Sequence, residues 1–203
     1  YTKHSLTKKG FLDYAEQRGD RSVTLVVLAD DQPRSAGLAY LEDTFRVGSR
    51  YTLRKWKGNS YYKFVKNRYV EAEEVDVSGP LYDWAVGKSH TMLDKNGSPQ
   101  IKPIKADRKW VGNVMAAIHN TIMLDPDLVA PPCWINGVTG PKPTNLIPFS
   151  NGLVDVDLYL QGRPCLQENT PDYFNLIAIP YPFDDTAECP RWLKFISESL
   201  GDD

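Results

Sequence analysis

Seven basic residues, Arg50, Arg54, Lys55, Lys57, Lys63, Lys66 and Arg68, occur in nineteen positions without an intervening acid, and Trp56, Tyr61, Tyr62 and Phe64 are interleaved among them. Cations neutralise phosphates and release counterions, and exposed rings stack on unpaired bases at ~1–3 kcal/mol each. If the block folds as an antiparallel meander, strand alternation sends Trp56, Tyr62, Phe64 and Tyr69 to a core and leaves Lys55, Lys57, Tyr61, Lys63 and Arg68 exposed. Lys102, Lys105, Arg108 and Lys109 precede or open a long helix, where cations oppose the helix dipole and a phosphate would relieve them. The candidate nucleic-acid set is therefore Arg54, Lys55, Lys57, Tyr61, Lys63, Lys66, Arg68, Lys105, Arg108 and Lys109. The competing reading is that these lysines keep an exposed hairpin from aggregating.

Two shorter patterns concern phosphoryl chemistry. Asp155-Val156-Asp157 would place two carboxylates on one side of a strand, about 7 Å apart, a spacing that two-metal sites use. A polar strand edge looks the same, and no third ligand is placed by the sequence. Gly87-Lys88-Ser89 ends like a phosphate-binding loop, but Tyr82 stands where the first glycine is required and a helix precedes it. A helix C-terminus at Gly87 is the better reading. Cys133, Cys165 and Cys189 form no C-x-x-C pair, and His4, His90 and His119 are scattered. Neither a disulfide framework nor a zinc knuckle is written here, and a reducing, cytoplasmic setting is the simpler expectation.

The elements that must position these residues follow from pattern. The 203 residues, 41% hydrophobic and 25% charged, suffice for one substantial core or two small ones. The longest apolar stretch, residues 23–29, is far short of the roughly 20 that a membrane helix needs. Phe11, Leu12, Tyr14 and Ala15 suit the start of a short helix, and 23–28 reads as a strand. Pro33 with the following apolar residues predicts a helix from about 34 to 46. Lys57-Gly58-Asn59-Ser60 and Lys66-Asn67 break residues 51–70 into a meander. Ser78-Gly79-Pro80 predicts a cap and short helix over 81–86. Asp107 caps a helix to about 124, with Trp110, Val111, Val114, Ile118, Thr121 and Ile122 on one face. A meander beside helices is compatible with a winged-helix-like unit.

The Pro-rich connector over 131–143 suggests a boundary. The chain then divides into 1–48, an N-terminal linker or helical segment; 49–130, the basic meander with helices; and 131–203, a strand-rich acidic region. After Asn151 ten acids face only Arg163, Arg191 and Lys194, so the two ends carry opposite balances. Asn151-Gly152 between apolar runs is a strong hairpin signal, because both central residues of a type I′ turn need positive φ. A closing amphipathic helix follows Cys189-Pro190, with Trp192, Phe195, Ile196 and Leu200 at helical spacing. Trp192 and Phe195 are expected to pack beneath strands 146–155 and 174–179. The fold class is α+β: a small antiparallel meander packed with helices, then a strand-rich tail and a closing helix.

The order of these tail features resembles a known family. Leu146 to Asp155 with its Asn-Gly turn, then Phe174-Asn175 with Pro180-Tyr181, then Cys189-Pro190-Arg191-Trp192 with Phe195, is similar to the segment just ahead of the ATPase core in phage/plasmid primases, the mobile-element and poxvirus-type primase-helicases. The likeness is strongest over 144–200. Leu53-Arg54-Lys55-Trp56-Lys57-Gly58 with Tyr61, Tyr62 and Phe64 looks like that family's hairpin. The resemblance implies a piece of a longer replication protein, lying between priming and hexameric helicase domains. It would contact single-stranded or forked DNA and hold neighbouring subunits and the helicase domain together. ATP and Mg are expected only in the parent's helicase core, and no catalytic residue of the family maps onto this chain. Two other readings stay open: an interaction or oligomerisation module without DNA binding, with Tyr173–Tyr181 and the Trp192/Phe195 helix as its contact surface, and a metal-dependent phosphoryl-transfer fragment at Asp155 and Asp157.

Overall fold

The computed structural model describes residues 27–28, 31–58, 60–125, 127 and 129–200. The expected helix near Phe11 and most of the strand over 23–28 lie outside them. The architecture is mixed α+β, with small, mainly antiparallel sheets packed among helices.

Helix α1 (Pro33–Thr44) starts where proline's fixed φ suits the first helical position, after an extended Gln32. It buries Ala36, Gly37, Tyr40 and Leu41, spaced at i and i+4. Gly37 lets α1 approach the helix Arg108–Ile122, since a Cβ there would sit 3.2 Å from Ile118 Cγ1. A hairpin of β2 (Arg46–Val47) and β3 (Arg50–Tyr51) follows. It leads into the meander β4 (Leu53–Lys55), β5 (Tyr61–Val65) and β6 (Arg68–Ala72), antiparallel in that order. The expected breaks hold: Lys57, Gly58 and Lys66 all have positive φ.

Helix α2 (Val75–Ala85) is longer than the sequence predicts, beginning before Ser78 and carrying Pro80 inside it. Proline cannot donate to the carbonyl four residues back. That carbonyl, Asp76 O, instead accepts from Lys63 Nζ at 3.2 Å, so a side chain from β5 substitutes for the missing N–H. Strand β7 (Ser89–Leu93) pairs parallel with β1 (Val27–Leu28) and antiparallel with β8 (Pro99–Pro103). Helix α3 (Arg108–Ile122) is capped as expected: Asp107 Oδ1 accepts the Trp110 N–H at 2.9 Å. Its buried face is Val111, Val114, Met115, Ile118 and Ile122.

Both faces of the meander are covered. One face gives Leu53, Tyr61 and Ala72 to a core with α1, α2 and α3. The other gives Trp56 and Tyr69, with Tyr62 and Phe64, to a second core completed by Ile135 and Phe174 of the tail. Phe174 packs at 4.9–5.8 Å against the rings of Trp56, Tyr62 and Tyr69. Tyr69 donates its hydroxyl to Pro171 O at 2.6 Å, and Trp56 Nε1 donates to Val129 O. Packing therefore runs straight across the 130/131 boundary drawn from composition.

In the tail, β9 (Cys133–Trp134) pairs antiparallel with β13 (Tyr173–Phe174). Strands β10 (Leu146–Phe149), β11 (Gly152–Asp155) and β12 (Leu166–Gln167) form an antiparallel sheet. The predicted hairpin is present, but its turn is Ser150-Asn151, since Phe149 already pairs with Gly152. Neither Asn151 nor Gly152 has positive φ. Gly152 is required for a different reason: a Cβ there would collide with the Gln167 carbonyl oxygen and lie 2.7 Å from Leu166 Cδ1. Helix α4 (Val156–Leu160) is short, and α5 (Pro190–Leu200) closes the described chain.

Candidate functional site

The ten basic and aromatic candidates do not form one surface. Arg54 and Lys55 are only 4% and 2% exposed, and Tyr61 is buried with them. Alternation fails as a guide to exposure because helices cover the very face it assigns to solvent. Arg54 lies on the opposite face, where Nη2 donates to Asn136 Oδ1 at 3.2 Å. Asn136 Nδ2 donates in turn to Asp172 Oδ1 at 2.7 Å, and Arg50 Nε meets Asp172 Oδ2 at 2.5 Å. These charges are spent on joining the meander to the tail. Arg54 and Asp172 are buried in this network while Arg50 stays partly exposed, so removing Arg54 or Asp172 would strand a partner away from water. Burial pushes the Tyr69 phenol beside it up to about 12, against the lowering effect of Arg54.

Lys55 is held beneath α3. Its Nζ lies 3.3 Å from His119 Nδ1 and 4.8 Å above the Tyr61 ring. Burial, then the charge of Lys55, lower the His119 pKa from its ordinary value, while Glu74 partly opposes this. A neutral imidazole accepting through Nδ1 is what that balance favours. Burial and then Glu74 raise the Tyr61 phenol. Lys63 is half-buried, with its ammonium on Asp76 O.

Lys57, Lys66, Arg68, Lys105, Arg108 and Lys109 are exposed. They sit in separate places. Lys57 lies 4.5 Å over the Trp56 ring, beside the C-terminal end of α3, where Leu124 N–H donates to Lys55 O. Lys105, Arg108 and Lys109 mark the other end of that helix, roughly 22 Å away along its axis. Lys66 and Arg68 occupy the β5–β6 turn. Acids intervene: Glu71 pairs across from Tyr62 and accepts from Ser60, and Glu73, Glu74 and Asp76 continue from it.

The carboxylate pair is also rearranged. Asp155 ends β11 and caps α4, its Oδ1 accepting from the N–H groups of Asp157 at 3.0 Å and Leu158 at 3.3 Å. Asp157 lies in the first turn of that helix, where Asn145 Nδ2 donates to its Oδ2. The two side chains therefore do not share a strand face. A strand that turns into a helix at its last residue breaks the period-two rule on which the spacing depends. Gly87-Lys88-Ser89 follows the end of a helix, as expected, and leads into a strand the sequence did not predict: Gly87 has φ 77, Lys88 N–H donates to Ala85 O, and Ser89 is buried at the start of β7.

The largest departure is at the end of the chain. Trp192 and Phe195 are not beneath the tail strands; they are 58% and 55% exposed and stack on one another, centroids 5.6 Å apart. Leu193 is equally exposed. Arg191, Lys194 and Glu198 occupy the other side of α5, the last two 3.7 Å apart. Below the tail sheet, Pro131, Pro132, Ile147, Pro148, Leu176 and Ile177 line an open groove of about 350 Å³. Tyr173 and Asn175 also line it, and with Leu176 and Ile177 they fall within the Tyr173–Tyr181 segment that the interaction-module reading singles out; the part played by Pro131, Pro132 and residues 146–148 was not legible in the sequence.

No known protein-family model matches the chain, and no curated protein matches it. Among the described residues no helix is long and apolar enough to cross a membrane.

Proposed function

We propose that this chain is a non-catalytic accessory region whose main task is assembly: holding subunits or domains of a larger replication protein of the primase-helicase kind. The observation that carries this reading is the apolar stripe of α5, where Trp192, Leu193 and Phe195 face solvent together. Contiguous exposed apolar surface with charges on the opposite face is the composition of a contact element, because leaving it in water costs about 25 cal/mol per Å². The primase-helicase parent rests on the resemblance over 144–200.

If α5 is a contact element, Trp192→Ala leaves the melting temperature of the chain unchanged in solution dilute enough for it to be monomeric. A loss of several degrees would put α5 in the chain's own core and remove the basis of the reading. Nucleic-acid contact is the second reading, favoured by the exposure of Lys57, Lys66, Arg68, Arg108 and Lys109. Scattered cations give a shallow salt dependence, since the slope counts phosphates neutralised together. A steep slope on single-stranded or forked DNA, flattened by Lys57→Glu, Lys66→Glu and Arg68→Glu in one chain, would make DNA binding the leading function.

A further inference from the structure

We infer that Asn96, in the loop joining β7 to β8, is a site of spontaneous covalent modification, converted to aspartate and isoaspartate through a succinimide, while the fold holds the other two Asn-Gly pairs unreactive. An asparagine followed by glycine is open to this reaction because glycine has no Cβ to crowd the approach of its backbone nitrogen. The chain has three such pairs, Asn96-Gly97, Asn136-Gly137 and Asn151-Gly152, and all three asparagines are exposed. Exposure therefore does not choose between them.

The side-chain partners do. Asn136 accepts from Arg54 Nη2 through Oδ1 at 3.2 Å and donates from Nδ2 to Asp172 Oδ1 at 2.7 Å. Asn151 is tied to the backbone of Phe183: Oδ1 accepts its N–H at 2.8 Å and Nδ2 donates to its carbonyl at 2.9 Å. Both carboxamides are held at their two ends, away from the nitrogen that would attack, and Gly152 is also paired with Phe149 in the sheet. Among the described residues the Asn96 carboxamide has no hydrogen-bond partner. Its turn is tied instead by Asp94, whose Oδ1 accepts the N–H groups of Asn96 at 2.8 Å and Ser98 at 2.9 Å. Around Gly97, which has φ 78, nothing beyond its chain neighbours lies within 4 Å of where a Cβ would stand. One contact opposes the reaction, since Gly97 N–H donates to Asp94 O at 3.0 Å. That bond lies in an exposed loop, where opening costs little.

The step balances with water alone. The Gly97 nitrogen loses its proton to solvent and attacks Asn96 Cγ. The new C–N bond closes the succinimide ring as the Cγ–Nδ2 bond breaks, and Nδ2 leaves as ammonia after taking a proton from water. Water then opens the ring. Attack at Cγ gives aspartate; attack at the main-chain carbonyl carbon gives isoaspartate, with the backbone routed through Cβ and Cγ. Either product places a carboxylate beside Lys95, and isoaspartate also lengthens the main chain in the turn that sets the β7–β8 register.

Peptide mapping by mass spectrometry tests this on the native chain, held in mildly alkaline buffer and sampled over time while circular dichroism confirms that it stays folded. The amide-to-acid mass gain is expected on the order of tenfold faster at Asn96 than at Asn136 or Asn151, since each hydrogen bond holds a carboxamide by roughly two- to tenfold. In urea the three rates should converge. An isoaspartate-specific methyltransferase with a labelled methyl donor should mark the aged native chain and leave aged, folded Asn96→Gln unmarked. Equal rates at the three sites in the folded chain would overturn the proposal. So would an Asn96 that stays intact in the folded chain while it converts in urea.

Discussion

Lys55 and His119 form a pair whose chemistry depends on the ring being neutral. His119 has a folded-state pKa below its ordinary value, so the unfolded chain takes up the proton first as pH falls. The stability from this site is therefore complete above about pH 6.5 and is lost as pH drops from there toward the lower folded value. Urea midpoints measured at pH ~7.5 and ~5.5 should fall more for the native chain than for His119→Gln, which keeps an acceptor but does not titrate. Equal losses would show that the imidazole plays no part. At Gly152 the constraint is steric. Gly152→Ala should destabilise by roughly 1–3 kcal/mol, because the obstacle is the backbone oxygen of Gln167 and the sheet must shift to clear it. An unchanged melting temperature would return Gly152 to the turn role that the Asn-Gly pattern suggests.

Elements whose signals are local were legible. Pro33 starts α1, Asp107 caps α3 through its own side chain, and the breaks at Lys57-Gly58 and Lys66 make the meander. Elements that depend on distant residues were not. Helix α2 runs through Pro80 because Lys63, thirteen residues upstream of Asp76, occupies the carbonyl that proline leaves vacant. The two residues should be coupled. Pro80→Ala restores the backbone donor and is expected to stabilise, and Lys63→Met should then cost less than in the native chain. A double-mutant cycle should give a coupling of about 0.5–1 kcal/mol. Strict additivity would mean that the Lys63 contact contributes nothing to the helix.

For the whole molecule, the expected exposure of Lys55 and Tyr61 was misread for one physical reason. Period-two alternation says which side chains share a face; it does not say how many faces are covered. Arg54, Lys55 and Tyr61 are buried because helices close one side of the sheet and the tail closes the other. At the 130/131 composition boundary the charge balance changes while the packing continues through it to Phe174. Phe174→Ala should accordingly cost ~3–5 kcal/mol and lower a single cooperative transition that includes the meander. Two transitions, only one of them shifted, would restore independent units.

Helix α5 stands apart from that continuous packing, and the assembly role depends on it. Hydrogen exchange of its amides, followed as the protein is concentrated, is the most direct measurement. Fast exchange at every concentration, slowing only when a partner subunit or domain is added, is the expected result, because in the chain alone nothing covers the helix. Slow exchange at every concentration would contradict it, placing α5 within the fold of a single chain.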